Sequence, residues 1–223
     1  MSKYVQKETV KQATGEEKTI YVVKDVVCKK RLVFSFLKRF ADIFLSFLGG
    51  IILLPVMLIL GIMVRLDSPG KAIYSQVRLG KNGKEFKLLK FRTMRIDAEA
   101  NGPVWAGKDD ERCTKLGAKL RKYRFDELPQ LYNIFVGHMS IVGPRPERPC
   151  FYEEFKGYID GFDKRLAVKP GLTGLAQVNG GYDLKPEEKV VFDMQYIEER
   201  SIWMDIKIIF KTVKLVFTHE GAR

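Results

Sequence analysis

The longest uninterrupted apolar stretch in the chain is Ile43 to Val64, IFLSFLGGIILLPVMLILGIMV, 22 residues without a charged side chain. That is the length a helix needs to cross the hydrocarbon of a bilayer. Core helices of soluble proteins rarely run so far without a polar face, so the pattern predicts a membrane helix. It does not sit at the extreme N-terminus and no small-residue cleavage site follows it, which sets it apart from a secretory signal. Pro55 falls near its middle, where it removes a backbone hydrogen bond and clashes with the preceding turn.

Both flanks of this stretch are basic. Residues 1–39 hold ten Lys/Arg against four acids, and residues 65–95 hold nine against Asp67 and Glu85. Positive charge marks the cytoplasmic side of a membrane, and here both sides carry the mark. A helix broken at Pro55, entering and leaving by the same face, satisfies both. Just before it, Lys29 to Phe40 interleaves apolar and basic residues as an interfacial helix does. The expected organisation is a polar, loosely ordered arm over 1–28, an interfacial and re-entrant membrane helix over 29–66, and a cytosolic-face domain over 67–223.

The pattern beyond the membrane segment alternates short strands and helices. Ala72 to Gln76 and Glu85 to Phe91 read as strands around a Gly80–Gly83 turn. Leu116 to Tyr123, Asp126 to Phe135, Phe151 to Lys164 and Pro186 to Glu199 read as helices, and Ile96 to Gly107, with Pro103, as a loop. Gly143 to Pro149 carries four prolines-and-glycine breakers in close succession and must be a rigid extended loop, and Lys169 to Gly174 another. In the last segment, Ile202 to Thr218, Trp203, Ile206, Phe210, Val213 and Phe217 share one helical face; it either lies on lipid or covers the core. The fold class expected is α/β: small, mixed and helix-rich, with the re-entrant helix and amphipathic interfacial helices.

Charge and cysteine content narrow the choice of partner. With 39 Lys+Arg against 27 Asp+Glu, a net charge of +12 calls for an anionic partner. The membrane segment, and the lack of an aromatic–basic recognition motif, turn that away from nucleic acid. Three scattered cysteines (Cys28, Cys113, Cys150) favour neither a disulfide framework nor a zinc site, and His138 and His219 are too far apart in sequence to suggest a His-based one.

The densest polar constellation is Arg121 to Gln130, RKYRFDELPQ. Adjacent carboxylates beside cations suit phosphoryl chemistry: one can attack phosphorus and the other can hold a divalent metal. Arg121 and Arg124 favour the ionised form of Asp126. The alternative is a helix start whose acids complement the dipole. Arg145, locked between Pro144 and Pro146, is a candidate anion site, whereas Lys87, Lys90 and Arg92, taken by themselves, read better as a solvated basic edge.

Taken in order, these segments resemble a known family. Lys38-Arg39-Phe40-Ala41-Asp42 precedes the apolar helix, followed by Asp67-Ser68-Pro69-Gly70 and Lys90-Phe91-Arg92-Thr93-Met94. Asp126 to Leu131, Val142 to Pro146 and Lys169 to Val178 complete the set. Over roughly 35–218 the chain resembles the bacterial sugar transferases, monotopic phosphoglycosyl transferases that act on polyprenyl phosphate. The resemblance implies transfer of a sugar-1-phosphate from a UDP-sugar to undecaprenyl phosphate at the cytoplasmic face of the bacterial inner membrane. Undecaprenyl-diphospho-sugar and UMP are the products, at the start of capsule, exopolysaccharide or related glycan assembly. It implies Asp126 as nucleophile and Glu127 with Asp126 as ligands of Mg2+ or Mn2+. It also implies Arg121, Lys90, Arg92, Arg145 and Gln177 as substrate-binding residues and Pro55 as the helix break. Membrane lipids are partners and a homo-oligomer is open. Leu54, His138 and Gly181 stand where the family usually has Ser, Asp and Arg. The competing expectation is a non-catalytic membrane-attached scaffold of the same pathway.

Overall fold

The computed structural model describes residues 2–11, 17–29, 31–100, 102, 104 and 110–218. Pro103 and His219 lie outside the described residues. The architecture is mixed, with helices outweighing three small sheets.

The N-terminal segment is better ordered than its polar composition suggests. Strands β1 (Val5–Lys11) and β2 (Glu17–Val23) form an antiparallel hairpin in which Val5 faces Val23. Its β-branched residues suit extended backbone. Strand β2 also pairs in parallel with β6 (Ile159–Asp160), and Tyr4, Val5 and Val23 enter the main core with Tyr152, Ile159, Tyr196 and Ile197. The expected loose arm is therefore an integral layer of the domain.

Helix α1 spans Leu32–Asp67, 36 residues with Pro55 inside it. The separate interfacial helix and the break at Pro55 expected from sequence are replaced by one continuous element: proline costs the helix a backbone bond without ending it. One side of α1 meets the domain at both ends. Near its start, Lys38 Nζ is 2.6 Å from Asp205 Oδ2. Arg39 donates to the carbonyls of Ile134 and Phe135 at 2.8 Å each, adding to the left-handed Gly137 cap at the C-terminus of α3 (Gln130–Val136). Asp42 is buried and accepts from Ser140 Oγ and the Ile141 amide. Near the end of α1, Leu60 and Val64 pack on Phe91 and Leu120. The other faces expose Phe44, Phe47, Ile51, Ile52, Leu58, Ile59 and Ile62. This is the one helix among the described residues that is long and apolar enough to cross a membrane.

The remaining elements frame one face. Strands β3 (Ile73–Leu79) and β4 (Glu85–Phe91) form a hairpin close to the expected one. Helix α2 is Lys115–Lys122. Strands β5 (Ser140–Val142) and β7 (Gly171–Thr173) pair in parallel and bring the Gly143–Pro149 and Lys169–Gly174 segments together. Glycine is required at this junction: a Cβ on Gly143 would lie 2.4 Å from the Lys169 carbonyl oxygen, and one on Gly171 2.1 Å from the Gly143 nitrogen. The helix expected over 151–164 is shorter. Helix α4 (Pro149–Lys156) ends at Gly157 and gives way to β6, after which Gly161, at φ 77, turns the chain into a 3-10 turn at Phe162–Ala167. Helix α5 is Pro186–Glu199. Helix α6 is Ile202–Thr218; it turns Asp205 and Ile208 inward and leaves Trp203, Phe210 and Phe217 more than 70% exposed. Its aromatic stripe thus faces outward and does not cover the core.

Candidate active site

The acidic pair is delivered by a tightly held turn. Thr114 Oγ1 accepts from the Gly117 amide at 2.9 Å and caps α2. At the other end of α2, Arg121 Nε donates to Thr93 Oγ1 at 2.9 Å. Arg124 then adopts a left-handed conformation, φ 58, uncommon for a residue with a branched-out side chain. This reverses the chain into the 3-10 turn Phe125–Glu127, which leaves Asp126 7% and Glu127 8% exposed. Pro129 starts the next helix, α3, as its sequence position suggested, one turn later than expected. Because both acids are buried, they are not surface partners of a helix dipole.

They border a cavity of about 340 Å³ in which cations outnumber carboxylates; its lining includes Lys90, Arg121, Arg124, Arg145, Asp126 and Glu127. Arg145 Nη2 donates to Glu127 Oε1 at 2.6 Å. Burial works to raise Glu127, but Arg145 and Lys90 outweigh it and hold the carboxyl below its usual range. Asp126 goes the other way. Burial and the neighbouring Glu127 push it up to about 6, against Lys90, Arg121 and Arg145. The expectation that Arg121 and Arg124 keep Asp126 ionised is thus only half met: Arg121 pulls in that direction, burial is stronger, and Arg124 acts on Glu127. Burial, with Arg78 and Arg145 nearby, lowers Lys90 to about 8, against the pull of Asp126 and Glu127.

The two carboxyls are thus shifted in opposite directions, Asp126 up and Glu127 down, the kind of split that separates roles in acid–base and nucleophilic sites. Among the described residues no group of three or more His, Cys, Asp or Glu could hold a metal alone.

Not every residue expected at the site reaches it in the same way. Lys90, Arg121, Arg145, Asp126 and Glu127 converge on the cavity. Arg92 borders it too, but its guanidinium is engaged elsewhere. Its Nη1 donates to Ser68 Oγ, Nη2 to the Ser68 carbonyl, both at 2.7 Å, and Nε to the Lys71 carbonyl at 2.9 Å. It ties the end of α1 to β4. Gln177 lies in an adjoining cavity of about 20 Å³ with Arg124, Arg145, Arg165 and Lys189, its Nε2 donating to the Leu172 carbonyl at 2.8 Å. Gly181 borders the same space, and the His138 ring lies 5.7 Å from that of Phe86. Leu54 is exposed on α1. Sequence reasoning missed Arg78, Arg112, Arg148 and Lys189, all lining the larger cavity. Only Arg148, close behind the Pro-Arg-Pro segment, carried a local signal.

This geometry coincides with a family match. Residues 33–219 match the bacterial sugar transferase family, and the chain belongs to it. It is 38% identical over 194 residues to the UDP-N-acetylgalactosamine-undecaprenyl-phosphate N-acetylgalactosaminephosphotransferase of Aeromonas hydrophila, covering 86% of this chain and 46% of that protein. It is 42% identical over 191 residues to the UDP-glucose:undecaprenyl-phosphate glucose-1-phosphate transferase of Escherichia coli K12, covering 83% and 41%. To an exopolysaccharide production protein of Rhizobium leguminosarum bv. phaseoli it is 41% identical over 189 residues, covering 79% and 93%. The chain thus spans less than half the length of the first two relatives.

Proposed function

We propose that the protein transfers a sugar-1-phosphate from a UDP-sugar to undecaprenyl phosphate, yielding undecaprenyl-diphospho-sugar and UMP, at the start of a surface-glycan pathway. The observation that carries this reading is the buried Asp126–Glu127 pair at the edge of a cation-lined cavity, in a domain that holds a long apolar helix at both ends. The names of the relatives above support the acceptor and the donor class.

In this scheme the Asp126 carboxylate attacks the phosphorus bonded to the sugar. An oxygen–phosphorus bond forms to Asp126, the bond to UMP breaks, and UMP leaves with the electron pair. An oxygen of undecaprenyl phosphate then attacks the same phosphorus and releases Asp126 as a carboxylate. Two half-reactions let a soluble donor and a lipid acceptor use one nucleophile without occupying it together. Arg121, Lys90 and Arg145 neutralise the phosphate oxygens.

Mg2+ or Mn2+ fits the donor set. Such ions commonly bind through one or two carboxylates together with substrate phosphates, and Asp126 and Glu127 supply hard oxygens beside the cation-lined cavity. Bound there, the ion would offset diphosphate charge.

Membrane attachment follows from α1 and α6. The domain contacts α1 near Lys38 and again near Val64; contacts at both ends support the reading of a re-entrant rather than a spanning helix. The domain's membrane face is the cytoplasmic one, given the basic flanks. Purified protein incubated with undecaprenyl phosphate and a panel of UDP-sugars tests the whole reading by UMP release. Release with one or more donors is the expected result; absence across the panel favours the scaffold.

A further inference from the structure

The Pro144-Arg145-Pro146 segment is anchored carbonyl by carbonyl. The Pro144 oxygen accepts from the Gly171 amide at 2.9 Å and the Glu147 oxygen from the Leu79 amide at 3.1 Å. The two oxygens between them are taken by side chains: Arg145's by Arg165 Nη2 and Pro146's by Arg78 Nη1, both at 3.0 Å. Prolines fix φ on both sides of Arg145, and four consecutive carbonyls then fix its Cα. The Arg145 side chain leaves this rigid base for Glu127.

Arg165 is the anomalous member. Its side chain is 2% exposed and pairs with Asp193, 1% exposed, at 2.6 Å. It lies over the ring of Phe162, 5.0 Å from the centroid, and its Nε has no hydrogen-bond partner among the described residues. A buried ion pair of this kind is a weak source of stability, since well-packed apolar residues often serve as well. Its geometry explains what apolar residues could not do, which is to donate to the Arg145 carbonyl. Arg165 also borders the small cavity beside the active site.

We propose that Arg165, held by Asp193 on α5, is a positioning residue for catalysis: it sets the backbone from which Arg145 reaches Glu127. The relay runs Asp193, Arg165, Arg145 carbonyl, Arg145 guanidinium, Glu127. The catalytic part of this proposal rests on the transferase reading above; the anchoring part does not. A misplacement of catalytic groups of about 1 Å costs on the order of 100-fold in rate, which sets the expected effect.

The test uses the full chain in detergent or nanodiscs with a UDP-sugar that the wild type turns over. Arg165→Met lowers kcat about 100-fold with KM for the donor little changed, and Arg165→Lys recovers part of the loss. In an Arg145→Ala background, Arg165→Met costs almost nothing further, because its route of action is already gone. Equal losses in both backgrounds would overturn the proposal, as they indicate general damage. Hydrogen exchange of a peptide covering 143–148 reads the anchor without turnover. Faster exchange in Arg165→Met, or in Asp193→Asn should the first variant fold poorly, is expected; unchanged exchange refutes the anchor. If no donor yields UMP with the wild type, the function fails while the exchange result still decides the anchor.

Discussion

Asp42, at the threshold of the apolar run of α1, accepts hydrogen bonds from the Ser140 hydroxyl at 3.1 Å and the Ile141 amide at 2.9 Å. Asp42 is 3% and Ser140 0% exposed. One carboxylate thereby attaches the long apolar helix to β5, the strand that leads into the Pro-Arg-Pro segment. Asp42→Ala leaves a buried hydroxyl and a backbone amide without acceptors, at about 1–3 kcal/mol each. Thermal unfolding in detergent should show a clear loss of stability, with Asp42→Asn milder because it keeps one acceptor. An unchanged melting temperature in Asp42→Ala would mean the attachment carries no weight.

The covalent scheme requires that the enzyme acquire label from sugar-labelled UDP-sugar in the absence of lipid acceptor, with UMP released in equal amount. Asp126→Asn abolishes label and turnover. Asp160→Asn, exposed at the far edge of β6, changes neither. Intact-mass measurement finds the adduct. Steady-state kinetics that demand a ternary complex would replace the scheme with direct displacement.

The pH dependence follows from opposite shifts. Asp126 must lose its proton to attack, and burial with Glu127 places that loss near 6. Lys90 must keep its proton to offset phosphate charge, and burial with Arg78 and Arg145 places its loss near 8. Hence kcat/KM rises with pH through about 6 and falls again around 8, reporting the free enzyme. Lys90→Arg, which retains charge, moves the alkaline limb upward. A profile flat across this range would show that neither group controls the rate.

Excess EDTA should abolish UMP release, and added Mg2+ or Mn2+ should restore it. Glu127→Gln keeps the shape but removes the anion facing Arg145, with an expected loss on the order of 100-fold and no change in membrane attachment. Full turnover in chelator rules out the metal.

Topology can be read with single cysteines at Val27 and Lys71, both exposed, in a background lacking Cys28, Cys113 and Cys150. An impermeant thiol reagent should reach both from the cytoplasmic side. Labelling from opposite sides would make α1 a span. Pro55→Ala tests whether the proline sets this outcome, with movement of one site across the membrane as the expected change.

Much of this molecule is legible in its sequence where local pattern and motif agree. The ends of α5 and α6, the β3–β4 hairpin and the acidic pair were readable because periodicity, proline placement and charge pointed the same way. The N-terminal hairpin was not, because its strands are held by Ile159 and Tyr152, partners far along the chain whose contribution no local window contains. The Phe151–Lys164 segment misled for a related reason. Its aromatic spacing suits a helix, but Gly161 turns Phe162 back onto Tyr152 and Phe155. At the site, motif chemistry pointed to Asp126, Glu127 and Arg145, which the fold brings to one cavity. Arg92 borders that cavity with its donors turned to Ser68 and Lys71, and nothing local in the sequence marked Arg165 and Lys189, isolated cations that line the adjoining space.

The grip on α1 also sets an order of assembly. Lys38 and Asp42 are synthesised before their partners: those of Asp42 lie 98 and 99 residues downstream and that of Lys38 lies 167 downstream. When α1 leaves the ribosome it carries a carboxylate beside its apolar run with nothing yet to receive it. Docking of α1 therefore waits until β5, and then α6, have been made. The last clasp, Lys38 to Asp205, closes only once α6 has been made.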